Sequence, residues 1–143
     1  MKISQSEAKR LVVSYEKFIR KTIKEFQNKC PPSLEPDDLF EEGIVGLLKA
    51  VDISSSWNEF SSRVENKIRD EVELAIRVEL YSVKLGQDIG EDFAEYRKVL
   101  AMLFQQLHRS PTLDEIAAKT TLPNEKLEGL ENLYRTALDY DEE

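Results

Sequence analysis

The sequence predicts an all-α protein, and three observations support that fold class. Apolar residues recur three and four positions apart in each long segment, which is the spacing of a helix face. No segment alternates as a half-buried strand does, and no internal repeat is present. Prolines, serines and glycines separate the periodic segments, so six helices are expected. With 41% apolar residues in 143, the chain can form one ordinary domain or two small ones.

The first predicted helix covers residues 7–29 and is amphipathic. Its apolar positions are Leu11, Val12, Tyr15, Phe18, Ile19, Ile23 and Phe26, with lysines and arginines between them. The prolines of "CPPS" end it, because proline cannot continue the hydrogen-bond ladder. Residues 1–30 carry eight Lys or Arg against three Asp or Glu, within a total of −8. We interpret these cations as the solvent face of the helix, since the acidic total does not support a general phosphate-binding surface.

The second helix is expected to begin with Asp37 or Asp38 as its cap and to run to about Val51. Acids at a helix N-terminus accept orphan amide protons and interact favourably with the dipole. Gly43 and Gly46 should each cost about 1 kcal/mol relative to Ala inside a helix. Close approach of another helix is a sufficient reason to tolerate that cost.

A polar connection, "DISSSWNEF", separates the second helix from a third over residues 61–81. Residues 85–91 contain Gly86 and Gly90 and are predicted to form a linker. The sequence therefore predicts one domain at residues 1–84 and another at residues 92–143.

Three shorter helices are predicted after the linker. The first covers residues 92–108, the second starts at the capping-box pair Thr112 and Glu115, and the last covers residues 124–138. Residues 112–138 resemble a helix-turn-helix, but the second helix of the pair is mainly acidic. A recognition helix should present cations or amides to base edges, so we favour a structural or protein-binding use.

Composition excludes several function classes. With one cysteine and one histidine, no zinc site is expected. No catalytic motif or glycine-rich phosphate loop is present, so no cofactor and no enzymatic activity is expected. Cys30 is interpreted as a small apolar filler and His108 as a cationic cap at a helix C-terminus. No apolar run is long enough to span a membrane, and no signal peptide is visible, so a cytoplasmic location is expected.

Four segments, in order, carry a family resemblance. "SYEKFIRKTIKEF" followed by "CPPSLEPDDLFEEGIVGLLKAVD" resembles the second conserved region of bacterial RNA polymerase sigma factors, most closely the flagellar and the sporulation or stress types. "FSSRVENKIRDEV" resembles the next segment of that region, and "HRSPTLDEIAAKTTLPNEKLEGL" resembles the third region. The resemblance implies a helical region-two domain, a linker and a small three-helix region-three domain. It covers residues 8–138, and the fourth region, which reads the upstream promoter element, has no counterpart before residue 143.

The resemblance also implies a docking surface. In the family, the helix that starts at the acidic stretch binds the clamp helices of the largest subunit of the polymerase. The corresponding segment is residues 37–51, and the candidate polymerase-binding residues are Asp38, Glu41, Glu42 and Leu48. Glu41 stands where the family usually has Gln.

The expected DNA-binding surface departs from the family pattern. The candidate residues are Trp57, Phe60, Arg63, Lys67 and Arg69. The preceding loop is two residues shorter than usual, and Arg63, Asn66 and Lys67 occupy positions where the family has aromatic residues. Flipped bases stack on such rings, so promoter recognition and melting should be weakened.

Two functions from different classes follow from the resemblance. The chain could act in transcription initiation as a sigma factor, or as half of a split one whose partner protein supplies region four. Alternatively, it could be a sigma mimic that binds an anti-sigma factor, or occupies the polymerase, without binding DNA. No membrane partner is expected.

Overall fold

The computed structural model describes residues 1–140, which form six α-helices and no strand. The helices are α1 (Gln5–Phe26), α2 (Pro36–Ile53), α3 (Trp57–Ser82), α4 (Gln87–Leu107), α5 (Leu113–Lys119) and α6 (Asn124–Leu138). A single 3₁₀ turn, Gln27–Lys29, extends α1. The all-α prediction is confirmed.

The first core, formed by α1, α2 and one face of α3 from Phe60 to Ile76, buries the predicted apolar faces. Ile19, Leu47, Val51, Val64 and Ile68 have at most 1% of their surface exposed. The beginning of α1 is fixed by a capping box in which Ser4 accepts from the Glu7 amide and the Glu7 carboxylate accepts from the Ser4 amide. This pair satisfies two amides that a helix N-terminus leaves without partners.

The cap of α2 differs from the prediction. Glu35 is the N-cap residue and Pro36 is the first helical residue. Asp38 closes the capping box by accepting from the Glu35 amide at 3.1 Å, whereas Asp37 makes no cap contact. Proline suits the first helical position because its missing N–H would have no partner there, and this moves the cap two residues upstream of Asp37.

The third helix begins four residues earlier than predicted. Ser56 is its N-cap and accepts from the Glu59 amide at 3.2 Å. The Glu59 carboxylate in turn accepts from the Ser55 amide at 2.8 Å. The serines that indicated a loop are therefore also the residues that start the helix.

The predicted linker at residues 85–91 is mostly helical, because α4 starts at Gln87 with Gly86 as its N-cap. The Gly90 amide donates to the Gly86 carbonyl at 2.8 Å, inside the first turn. The non-helical connection is residues 83–86 only. At its other end α4 stops at His108, which adopts the left-handed conformation (φ 57°) and donates its backbone N–H to Phe104.

The second core lies between the C-terminal half of α3 and α4, α5 and α6. Its fully buried members include Phe93, Ile116 and Leu127, with Val78 contributed by α3. Both cores therefore use α3. A third, smaller cluster joins α1, α2 and α4, and it consists of Ala8, Val45, Leu48 and Phe104. We call it the bridging cluster. The division into domains at residues 1–84 and 92–143 remains a prediction.

Candidate functional site: the acidic face of α2

The glycines of α2 allow two neighbouring helices to approach closely, as the sequence predicted. A Cβ at Gly43 would lie 2.5 Å from the Ile19 side chain, and one at Gly46 would lie 2.6 Å from the Lys67 carbonyl oxygen. These contacts fix α2 against α1 and α3. They thereby set the direction in which its acidic residues point.

The structure places the four candidate docking residues in three different environments. Asp38 and Glu41 are exposed, Glu42 is half-buried, and Leu48 is 2% exposed. Leu48 packs in the bridging cluster, where Phe104 of α4 is 4% exposed. Leu48 is therefore covered in this structure, because α4 lies across that part of α2, and its role in docking stays a prediction.

A second contact with α4 involves the exposed end of the acidic face. The side-chain amide of Gln105 donates from Nε2 to a Glu41 carboxylate oxygen at 2.8 Å. On the α1 side, the side-chain amide of Gln5 donates from Nε2 to the backbone carbonyl of Gln106 at 3.2 Å. Polar contacts at the surface and apolar contacts in the bridging cluster thus hold α4 in place over α2.

Charged residues that the sequence did not single out surround Glu42. Lys49 of α2 donates to both oxygens of Glu71 of α3, at 3.0 and 2.9 Å. Arg97 of α4 donates to Glu79 of α3 at 2.6 Å, and its Nε is buried without a partner. The sequence did contain a signal, because Glu71 interrupts the apolar face of α3.

Three carboxylates and two cations thus meet where α2, α3 and α4 join. Burial, and next the negative charge of Glu71, raise the pKa of Glu42 to about 7, against the lowering effect of Lys49 and Arg97. Burial beside the same carboxylates also raises the pKa of Tyr134 on α6. We call Glu42, Lys49, Glu71, Glu79 and Arg97 the charged junction.

The charged junction opens into a cavity of about 1440 Å³. Its wall combines apolar side chains of α1 and α4 with Tyr96 and Tyr134 of the second core. Glu41, Glu42 and Leu48 all line it. The candidate docking residues are therefore brought together, but around a space that α4 partly closes.

The five candidate DNA-binding residues all lie on α3 but differ in exposure. Phe60 is 3% exposed and contacts the rings of Tyr15 and Trp57, so it lies in the first core. Lys67 is half-buried. Arg69 pairs with Glu25 of α1 at 3.0 Å and lies over the Phe18 ring. Trp57 and Arg63 are exposed, and the Arg69 side chain keeps 41% of its surface exposed. Arg63 donates to the Ile53 carbonyl at 3.3 Å.

The acidic last helix is used for packing. Its apolar residues Leu127, Leu130 and Ala137 are buried in the second core. Its two cations are already paired, Lys126 with Asp92 at 3.0 Å and Arg135 with Glu131 at 2.9 Å. This arrangement does not resemble a helix that reads base edges.

Cys30 lies in surroundings that suit a packing role. Its thiol is half-buried and donates to the Leu34 carbonyl at 3.4 Å, and burial raises its pKa. A thiol in such surroundings is a poor nucleophile. Within residues 1–140 no cluster of potential metal ligands is found. None of the described helices is long and apolar enough to cross a bilayer.

Fold and site together define an all-helical protein. The start of its helix α2 is acidic and exposed, and α4 covers the rest of that face. Comparison with known proteins shows which family the chain resembles. The chain is 28% identical to the RNA polymerase sigma factor SigA of Microcystis aeruginosa over 120 residues, which are 82% of this chain and 28% of that protein. It is 36% identical to the RNA polymerase sigma-F factor of Priestia megaterium over 95 residues, which are 65% of this chain and 37% of that protein. Over 65% to 82% of its length the chain is therefore similar to bacterial RNA polymerase sigma factors.

The similarity extends to one solved structure. The flagellar sigma/anti-sigma complex Sigma-28/FlgM is similar with a TM-score of 0.42 and 26% identity, over 96% of this chain and 62% of that chain. No family model matches the sequence. The chain spans 28% to 37% of the length of the sigma factors compared above.

Proposed function

We propose that this protein acts in transcription initiation by docking on core RNA polymerase through α2, with the clamp helices of the largest subunit as its partner. The observation that carries the proposal is the sequence match to sigma factors over 82% of the chain. Exposed Asp38 and Glu41 at the start of α2 support it, because they offer a basic partner surface two accessible carboxylates. The role is non-enzymatic and cytoplasmic.

Docking through the whole segment 37–51 requires α4 to leave α2. Leu48 and Glu42 lie beneath α4, so a partner can reach them only after the bridging cluster has opened. The structure is then the closed form, in which α4 covers α2. Polymerase binding selects an open form, in which α4 has moved away. The affinity for polymerase is reduced by the free energy needed to open the cluster.

The test is co-precipitation with purified core polymerase. Glu41→Arg reverses an exposed charge without touching a core, and we expect it to weaken binding by on the order of tenfold. Glu73→Arg is the matched control, since Glu73 is also exposed on a helix. Leu48→Arg is a poor probe because it would place a cation in the bridging cluster. Equal binding by the wild type and the Glu41→Arg variant would contradict docking through α2.

DNA binding is proposed to be weak. Phe60 is buried, so Trp57 is the one exposed ring among the five candidates, and Arg69 is engaged with Glu25. Titration of a labelled promoter fork at several salt concentrations would measure this contribution. The logarithm of the binding constant is plotted against the logarithm of the salt concentration. A steep negative slope, equivalent to several neutralised phosphates, would contradict weak DNA binding.

A second candidate function is favoured by the same burial. Phe60 in the core and Arg69 paired with Glu25 suit a sigma mimic that binds an anti-sigma factor or occupies polymerase without DNA. A split sigma factor, completed by a separate region-four protein, predicts instead that promoter DNA binds tightly once that protein is added. Measuring DNA binding with and without the protein of a neighbouring reading frame distinguishes the two.

A further inference from the structure

A second surface, opposite in charge to the acidic face of α2, lies at the C-terminal end of α1. A groove of about 460 Å³ opens there between α1 and the start of α2. Its apolar wall consists of Ile23, Pro31, Leu34, Pro36 and Leu39. We call it the α1 groove. None of the acidic docking candidates of α2 lines it, although Leu39 belongs to the segment 37–51.

Two cations line the α1 groove, and no acid does. Lys24 is exposed and forms no ion pair with any residue in the described part of the chain. Arg20 lies over the Phe40 ring at 4.5 Å and pairs with Glu16 at 3.4 Å. The Arg20 and Glu16 side chains are 55% and 50% exposed. Such surface pairs are weak, so a partner carboxylate can replace Glu16 at little cost.

The surrounding surface of α1 adds to this positive field. Lys17 and Lys21 are exposed on the side of α1 that carries Lys24. The acids of α1 that could offset them are already engaged: Glu7 in the capping box, Glu16 with Arg20 and Glu25 with Arg69. The Cys30 thiol, which also lines the groove, is kept neutral by burial and adds no negative charge.

We propose that the α1 groove is a docking site for an acidic segment of a partner protein, one that places an aliphatic or aromatic side chain between its carboxylates. The apolar wall takes that side chain, and Arg20 and Lys24 at the rim take the carboxylates. Apolar anchors flanked by complementary charges are the usual chemistry of peptide grooves.

A nucleic acid fits this groove less well. Binding of single strands relies on open aromatic faces for base stacking, and the Phe40 ring is covered by Arg20. The side chains of proline and leucine have no hydrogen-bond donor or positive charge for a phosphate. The total charge of −8 also repels a polyanion more strongly than a short peptide with few carboxylates.

The experiment measures binding of fluorescent synthetic peptides to the whole chain by anisotropy. The probe is a twelve-residue peptide of Glu and Leu in helical order, and two matched peptides replace Glu by Lys or Leu by Ser. We expect the Glu–Leu peptide to bind at least about tenfold more tightly than either of the others. Equal binding of the Lys–Leu peptide, or of the Glu–Ser peptide, overturns the proposal.

Two charge reversals locate the site. Lys24 and Lys119 are both exposed lysines in the last turn of a helix, α1 and α5 respectively. Lys24→Glu and Lys119→Glu therefore change total charge and helix-end electrostatics equally. We expect Lys24→Glu to weaken binding of the Glu–Leu peptide by on the order of tenfold and Lys119→Glu to leave it within about twofold. Equal losses would show a long-range charge effect and refute the site.

The apolar part is tested with Leu34→Gln, because Leu34 is half-buried and packs at the edge of the first core and not inside it. Weaker peptide binding with an unchanged melting temperature supports the groove. Unchanged peptide binding overturns it. A labelled DNA duplex serves as the competing ligand, and Lys24-dependent DNA binding that displaces the peptide would assign the surface to nucleic acid instead.

Discussion

Replacing Glu42 by Gln should stabilise the protein at alkaline pH and leave it almost unchanged at acidic pH. The pKa of Glu42 is raised from 4.5 to about 7, first by burial and then by Glu71. The folded state therefore holds this proton more tightly than the unfolded chain does. Stability falls as the pH rises from about 4.5 to about 7, because the folded state must then accept a charge in the charged junction.

The size of the effect follows from the pKa difference. A shift from 4.5 to about 7 corresponds to about 3 kcal/mol. Because the Glu42 side chain keeps some contact with solvent, this value is an upper bound. For a chain of this length, about 3 kcal/mol moves the midpoint of thermal unfolding by on the order of 10 °C.

The assay is thermal unfolding followed by far-UV circular dichroism, at several values between about pH 5 and about pH 8. Glu41→Gln is the matched control, since Glu41 is the exposed neighbour of Glu42 in α2. The wild type and Glu42→Gln should unfold together at the acidic end and separate progressively towards the alkaline end. A constant separation at every pH, or the same trend in Glu41→Gln, would refute the placement of Glu42 in the charged junction.

Two further changes test the packing and the caps. Gly46→Ala should destabilise the protein by about 2 kcal/mol through overpacking, because the new Cβ would lie 2.6 Å from the Lys67 carbonyl oxygen. Gly129→Ala has open space around it and should stabilise the protein by about 0.5–1 kcal/mol. Chemical denaturation measures both changes. Glu115→Gln should lower the melting temperature at neutral pH, because hydrogen bonds from Arg109 and from the Thr112 amide hold the pKa of Glu115 at about 2. That stabilisation is complete above the unfolded value of 4.5 and is lost as the pH falls towards 2, so the variant and wild type should converge there, whereas Glu128→Gln should show no such convergence.

The positions of the helices could be read from the sequence because helical periodicity is a local signal. The starts of α3 and α4 could not be placed as well. Ser56 and Gly86 are typical of loops, yet each serves as the N-cap of the helix after it. A residue that ends one element and begins the next gives the same local signal in both roles.

The environment of the acidic face of α2 lay beyond sequence reasoning. Asp38 and Glu41 were expected at the surface and lie there. The solvent exposure of Glu42 and Leu48 depends on the position of α4. Its residues Arg97 and Phe104 come from about fifty residues further along the chain. No local pattern reports which helix covers another, so the closed position of α4 emerged only from the tertiary structure.

The sharing of α3 between both cores bears on how the protein can be dissected. A fragment ending at residue 84 would keep α3 whole but remove the helices that cover Leu74, Val78 and Tyr81. Those side chains would form an apolar stripe in water, and fragments would associate through it. The boundary between the cores runs lengthwise through one helix, so cutting the chain between α3 and α4 exposes an interior surface instead of separating two finished parts.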